Sequence, residues 1–204
     1  MTCTIPMLPF QLLLILLRER LVSAVLPQLK IKKPLSKVRE ILWNLETCHN
    51  WHAYVASTEF KDPLTTDGPG AVRKCQFYDE IVRDGISHGA EYVWEEILDR
   101  SGNRMITWIQ EENRPSILDC VGKVFYIEEI DPDHTMLTVH HYYRPRNMPL
   151  TRLMATNMMK KPVQKEAYMI AWGIKYHCET GKVAKLEMLP DLIGFKEVED
   201  IYDI

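Results

Sequence analysis

The chain lacks several patterns that would assign it to a well-marked class of protein. Its 204 residues include five cysteines but no Cys-x-x-Cys pair, and the cysteines are widely spaced. An odd, scattered set of cysteines does not predict a secreted protein held together by disulfides. No Asn-x-Ser/Thr acceptor for N-glycosylation occurs either. We therefore expect a reducing, cytoplasmic compartment.

A strong charge of one sign is also missing. The formal net charge is −3, and the lysines and arginines are scattered without a sustained basic run. Nucleic acid is therefore not an expected partner. The sequence contains no phosphate-binding glycine loop, dinucleotide fingerprint, zinc-protease helix or Ser-His-Asp order, and we expect no cofactor.

Long hydrophobic runs are absent. Residues 8–17 read LPFQLLLILL and are followed by Arg18-Glu19-Arg20. This run is about half of the ~20 residues that a membrane-spanning helix needs. No lysine or arginine precedes it, so the basic region of a signal peptide is missing. We expect an extension that packs on the domain or on a partner protein, while a signal peptide or a membrane contact without a spanning segment remains open.

What the chain does contain is a series of β-rich segments separated by turn residues. An apolar segment at 21–31 predicts a first strand, with Pro27 at an edge or a bulge. Gly68-Pro69-Gly70 is a strong turn signal. Short connections between the later segments favour antiparallel neighbours. Further strands are predicted at 55–61, 71–78, 91–98, 104–110, 121–130 and 136–143.

Helical spacing occurs in two places. Val38, Ile41 and Leu42 predict a helix with Ser36 as its N-cap, and a second short helix or turn is expected at 44–54. Residues 150–178 predict a long helix that Pro162 interrupts and that ends near Gly181. These elements predict an α+β fold, with residues 1–20 as an apolar extension, 21–182 as the domain and 183–204 as an acidic tail.

Three passages carry a resemblance to a known family: Asn50-Trp51-His52, Gly68-Pro69-Gly70-Ala71-Val72-Arg73 and Glu179-Thr180-Gly181. The chain resembles the START-like or Bet v 1-like (SRPBCC) superfamily, and within it the polyketide cyclase/dehydrase and lipid-transport group. The resemblance implies a helix-grip fold, in which a curved antiparallel β-sheet wraps around a long C-terminal helix, with two short helices after the first strand. It implies a cavity between sheet and helix and a hydrophobic ligand such as a lipid, a polyketide or an isoprenoid. It does not imply one activity.

Several residues are candidates for the wall of such a cavity. Aromatic and methionine side chains supply apolar surface, and Tyr, Trp and His add a polar atom that orients a ligand. Plain core packing is the alternative for each, because strands alternate faces and the sequence does not say which face is concave. The candidates are Trp51, Phe77, Trp94, Trp108, Tyr126, His140, Tyr142, Met154 and Met158.

An enzyme would need an acid/base pair near its substrate, and His140, Tyr142, Arg73 and Glu95 are the candidates by residue type. The alternative for Arg73 and Glu95 is a cross-strand ion pair on a solvated face. His49 and His52 have a spacing that two metal ligands on a helix can have, but the sequence fixes no third ligand, so no metal site is predicted.

Three hypotheses about function follow from the sequence. The first is non-catalytic binding or transport of a hydrophobic small molecule. The second is an enzyme of the cyclase/dehydratase kind that uses the same pocket. The third is an interaction module whose N-terminal extension and acidic tail dock on partner chains.

Overall fold

A computed structural model describes residues 22–24, 28–83, 87, 90–114, 118–146 and 149–188. The side chains of 22–24, of residue 113 and of most of 149–165 lie outside this description. Short 3-10 turns occur at Leu45–Thr47, Glu111–Asn113 and Leu186–Met188. Within the described ranges the strands and α-helices are, in chain order, β1 (Val22–Ala24), β2 (Gln28–Ile31), α1 (Leu35–Trp43), α2 (Cys48–Trp51), β3 (Val55–Phe60), β4 (Val72–Phe77), α3 (Asp79–Arg83), β5 (Tyr92–Ser101), β6 (Arg104–Ile109), β7 (Leu118–Asp131), β8 (His134–Pro145) and α4 (Pro149–Thr180).

The strands form one antiparallel sheet. Its order is β1-β8-β7-β6-β5-β4-β3, and β2 also pairs with β8. The strands predicted from the sequence are confirmed, although β7 and β8 are longer than expected. They lengthen because a tight turn between Asp131 and His134 lets the two strands pair along almost their whole length.

One face of this sheet, which we call the inner face, is covered by helices. Val38 and Leu42 of α1 and Trp51 of α2 join one buried cluster with Ala167, Ile170 and Ile174 of α4 and with inner-face side chains of the sheet. Phe125, Ile127, Leu137 and Val139 supply the sheet side of that core. The sheet therefore wraps around α4, and the helix-grip α+β fold predicted from the sequence is confirmed.

Two predicted turns are confirmed by their backbone angles. Gly68 and Gly70 have φ values of +78° and +88°, which glycine adopts without steric cost. Gly181 has φ +72°, and its N–H donates to the carbonyl of His177 at 2.8 Å, so it ends α4 as expected.

Two local predictions are wrong. Ser36 is not the N-cap, because α1 begins at Leu35 and the carbonyl of Pro34 accepts the first helical hydrogen bonds from Lys37 and Val38. Pro162 does not interrupt the last helix, since α4 runs unbroken to Thr180. A proline removes one helical hydrogen bond, and the apolar contacts of the following turns with the sheet outweigh that loss.

Other expectations are refined or stay open. The first predicted strand is divided into β1 and β2, and Pro27 lies outside the described residues. The helix α3 was not predicted. Among the helices that the structure describes, none is both long and apolar enough to cross a membrane. The domain limits at residues 20 and 182 stay predictions.

Candidate functional site

The pleat of the sheet divides the predicted site residues between its two faces. Arg73 and Glu95 are register partners and point to the inner face, towards α4. Trp108 pairs with Glu96 and points to the other face, which we call the outer face. Trp94, Tyr126, His140 and Tyr142 share the outer face with Trp108, as their pairing registers show.

Glu95 is the centre of a buried polar cluster on the inner face. Its Oε2 accepts from Nε of Arg73 at 2.9 Å and from Nη2 of the same guanidinium. Its Oε1 accepts from the Thr107 hydroxyl at 2.9 Å and from Nζ of Lys123 at 3.3 Å. Arg73 is 1% exposed and Glu95 3% exposed. The expectation of an ion pair is thus correct, but the expectation that it lies on a solvated face is wrong.

The helical region after β2 holds the guanidinium of Arg73 in place. Its Nη1 donates to the carbonyl of Leu45 at 3.3 Å. Its Cζ lies 5.9 Å from the ring centroid of Trp51, within the range of a cation–π contact. Trp51 is fully buried and also makes an edge contact with Phe125. The helical segments that carry Leu45 and Trp51 therefore fix one end of the polar cluster.

The helix α4 borders the other end of the cluster. The Glu166 carboxylate lies 3.9 Å from Nζ of Lys123 and 3.8 Å from Nδ1 of His141. Lys123 pairs with Thr107 on one side and with His141 on the other, so the three side chains form an inner-face row. We define the Glu95 cluster as Arg73, Glu95, Thr107, Lys123, His141 and Glu166.

Four members of this cluster were not predicted from the sequence: Thr107, Lys123, His141 and Glu166. The sequence did contain a sign that Lys123 is buried. Val121, Lys123 and Phe125 are two residues apart and therefore share one face of an otherwise apolar strand. A charge at such a position is buried unless the strand is an edge. No comparable signal marks His141, since of two adjacent histidines the sequence cannot say which one faces inward.

Glu95, Lys123 and His141 have pKa values that are shifted from their ordinary values. Burial alone would raise the pKa of Glu95, but Lys123, Arg73 and their hydrogen bonds hold it far below its usual range. Burial alone would lower the pKa of Lys123, but Glu95 and Glu166 keep it above its ordinary value. Burial lowers the pKa of His141, and Glu166 only partly opposes this. The site therefore presents an ionised carboxylate, two cations and a neutral imidazole.

Aromatic pairs dominate the outer face. Trp108 and Tyr142 meet edge to face at 5.8 Å, and Tyr126 and His140 do the same at 5.8 Å. Burial lowers the pKa of His140 to about 4 and raises that of Tyr142. An open groove of about 680 Å³ begins beside Trp108, and its other walls include Lys61, Glu96, Leu98, Gln110 and Glu112.

The four predicted catalytic residues do not meet in one place. Arg73 and Glu95 lie on the inner face, whereas His140 and Tyr142 lie on the outer face, so a sheet separates the two pairs. Of the predicted cavity walls, Trp51 and Phe77 border the inner core. The side chains of Met154 and Met158 lie outside the described residues, and their role stays a prediction.

Comparison with known proteins agrees with this architecture. No protein-family model and no curated protein matches the sequence. A START superfamily protein from Mycobacterium smegmatis is similar with a TM-score of 0.60 and 13% identity, over 79% of this chain and 100% of that one. The ZhuI aromatase/cyclase from Streptomyces sp. R1128 is similar with a TM-score of 0.55 and 11% identity, over 79% and 98% of the two chains.

A third solved structure shows the same likeness. A norcoclaurine synthase from Thalictrum flavum, a point mutant in complex with a transition-state analogue, has a TM-score of 0.57 and 8% identity over 78% of this chain and 95% of that one. At such identities the likeness concerns the fold and leaves the activity open. The chain therefore has a helix-grip fold similar to the folds of a START superfamily protein, an aromatase/cyclase and a norcoclaurine synthase.

Proposed function

We propose that the chain binds a hydrophobic small molecule on the inner face, between the sheet and α4. The observation that carries this proposal is the Glu95 cluster, which places two cations and a carboxylate inside an otherwise apolar core. The ligand is an extended apolar molecule with a carbonyl, hydroxyl or carboxylate group, as in lipids, polyketides and isoprenoids.

The energetics of burial support a use for these charges. Taking an ion out of water costs several kcal/mol even after relaxation, and apolar residues of similar volume often stabilise a core as well or better. The fold alone therefore does not require Lys123 at 5% exposure in the middle of β7. A buried lysine can donate a directional hydrogen bond to a ligand, which an apolar side chain of similar volume cannot do.

Lys123 is the residue best placed to contact the polar group of a ligand. An ammonium has three donors. Among the described residues, its carboxylate neighbours are Glu95 at 3.3 Å and Glu166 at 3.9 Å. A ligand oxygen near α4 would accept from the remaining proton. The apolar body of the ligand would lie against Trp51 and Phe77, which are two of the cavity walls predicted from the sequence.

Binding is favoured over catalysis by the division of the candidate residues between the two faces. His140 and Tyr142 would not reach a substrate held beside Arg73 and Glu95, because the sheet lies between them. Although similar structures include an aromatase/cyclase and a norcoclaurine synthase by name, no described pair of residues here favours either reaction.

Native mass spectrometry of the full chain tests the proposal. The purified protein is incubated with oleic acid and, separately, with geranylgeraniol, and the wild type is compared with Lys123→Met. We expect a one-to-one complex with the wild type and at least a tenfold weaker complex with Lys123→Met, whose folding is checked by circular dichroism.

Two matched control variants test whether the loss of binding is specific to the inner face of the sheet. Lys74→Met removes a partly exposed lysine that pairs with Glu59, and Trp108→Phe alters the outer face. Both should keep the complex. A wild type that binds neither probe, or a Lys123→Met variant that binds as tightly as the wild type, would overturn the proposal.

A further inference from the structure

The outer face of the sheet carries an apolar cluster that is as well buried as the core. We define the outer cluster as Ile106, Cys120, Val124 and Tyr142, together with the partly buried rings of Trp108 and Tyr126. Cys120 and Val124 are 0% exposed and Tyr142 is 4% exposed. The described members of the outer cluster all come from β6, β7 and β8.

Such burial requires a layer of atoms over the outer face. The apolar face of a sheet is buried against another element, and a face open to water leaves its side chains accessible. The helices α1, α2 and α4 contribute their buried side chains to the inner core. Apart from β6, β7 and β8 themselves, no helix or strand in the described ranges contributes a residue to the outer cluster, so the cover must come from another part of the chain.

We propose that residues 8–17 of the same chain cover the outer cluster. Nine of these ten residues are apolar, and the sequence reads LPFQLLLILL. The proposal thus assigns the N-terminal extension to an intramolecular contact, independently of any ligand on the inner face.

The pairing of β1 brings this segment to the correct place. Val22 pairs with Tyr143 and Ala24 with His141, so the chain joins the sheet at the edge next to Tyr142. Tyr142 pairs with Gly122 on β7, and Gly122 pairs with Trp108 on β6. With strands about 4.8 Å apart, β6 lies about 14 Å from β1.

The connecting residues are long enough for this path. Residues 18–21 link the apolar segment to Val22, and five extended steps from residue 17 to residue 22 span about 17 Å. Residues 8–17 can therefore lie across β8, β7 and β6. Arg18 and Arg20 would stand at the rim, where their charges remain in water.

The cysteines of the chain supply a direct test. Cys120 reports on the outer face, whereas Cys48 and Cys75 are buried in the inner core and report on global opening. The full chain carrying Cys3→Ser is labelled with N-ethylmaleimide, and the rate at each cysteine is measured by peptide mass spectrometry.

The test variant is the full chain with Leu12→Gln, Leu13→Gln, Leu16→Gln and Leu17→Gln, and the matched control carries Arg18→Gln and Arg20→Gln. We expect labelling of Cys120 to become at least tenfold faster in the leucine variant, with Cys48 and Cys75 unchanged. The arginine control should label like the parent chain. A rate at Cys120 that does not change in the leucine variant would overturn the proposal.

Cross-linking decides the question even where the leucine variant fails to fold. Benzoylphenylalanine in place of Phe10 is photoactivated in the otherwise unchanged full chain. We expect a cross-link within one chain to a peptide from β6, β7 or β8, with a yield that does not depend on protein concentration. Cross-links only between two chains, or only to inner-face peptides, would contradict the proposal.

Discussion

Gly173 of α4 lies directly against the backbone of Trp51. A methyl group built on Gly173 would overlap the carbonyl oxygen of Trp51 and would stand 3.5 Å from Cβ of Ala184. No real Cβ tolerates such an overlap, and a backbone oxygen cannot move aside as a flexible side chain can. The close approach of α2 to α4, which closes one end of the inner core, therefore depends on a glycine at this position.

We predict that Gly173→Ala destabilises the protein by about 1–3 kcal/mol, the usual cost of overpacking a core. In an open helix the same change would stabilise by up to about 1 kcal/mol, because alanine is the better helix former. Urea unfolding followed by circular dichroism measures the difference. An increase in the free energy of unfolding would show that α2 and α4 are not in contact as described.

Gly181→Ala is a useful control for that experiment. A methyl group on Gly181 meets no atom within 4 Å, but the residue has φ +72°. Its substitution should cost about 1–2 kcal/mol through backbone strain alone. Gly173→Ala should lose stability because its methyl group meets the backbone of Trp51, whereas Gly181→Ala meets no neighbouring atom.

The carboxylate of Glu95 is predicted to be the most sensitive member of its cluster. Glu95→Gln leaves Arg73 and Lys123 buried without their shared counter-ion, which should cost about 3–5 kcal/mol. Glu59→Gln provides the matched control, since Glu59 is 65% exposed and pairs with Lys74 at 3.1 Å. An exposed pair contributes at most about 1 kcal/mol. Equal effects of the two substitutions would contradict a buried cluster.

The same carboxylate predicts a loss of stability in acid. Its pKa is lower in the folded protein than in the unfolded chain, so its contribution is complete above the unfolded pKa of about 4.3 and declines as the pH falls below it. Below about pH 4.3, the free energy of unfolding of the wild type should therefore fall more steeply with decreasing pH than that of Glu95→Gln. Unfolding free energies measured from pH 6 to pH 3 test this.

A histidine should produce a second, separate pH dependence. The folded-state pKa of His140 is lowered to about 4 by burial, whereas the unfolded value is about 6.5. Below pH 6.5 this histidine becomes protonated in the unfolded chain but stays neutral in the folded protein. The free energy of unfolding therefore falls as the pH decreases to about 4, by roughly 3 kcal/mol for this group.

His140→Phe should remove that part of the slope between pH 6.5 and pH 4 and leave the slope above pH 7 unchanged. His52 and His141 also have lowered pKa values because they are buried, so a residual slope is expected in the variant. Identical pH profiles for the wild type and His140→Phe would show that the imidazole is exposed.

Gly122 supports the outer face in a similar way to Gly173 on the inner side. A methyl group on Gly122 would lie 2.5 Å from the carbonyl oxygen of Thr107 and 2.8 Å from the ring of Tyr142. We predict that Gly122→Ala costs about 1–3 kcal/mol in urea unfolding. Adding Tyr142→Leu should recover only part of the loss, because the Thr107 oxygen remains. Full recovery would mean that the backbone contact is absent.

Local patterns in the sequence were enough to predict the strands, the Gly68–Gly70 turn and the glycine that ends α4. These depend on propensities and backbone angles of neighbouring residues. Pro162 shows the limit of such patterns, because its local cost is overridden by contacts between α4 and residues far away in the chain.

The sequence by itself determined a sheet of antiparallel strands and a helix near the C-terminus. It also determined which residues of each strand share a face of the sheet, because successive side chains point to opposite faces. Only the tertiary structure decided which of these faces lies against α4. It buried Arg73 with Glu95, turned His141 inward and His140 outward, and placed Lys123 beside Glu166. The physical reason is that alternation has a period of two residues and is symmetric between faces, whereas the choice of the inner face depends on contacts between distant segments.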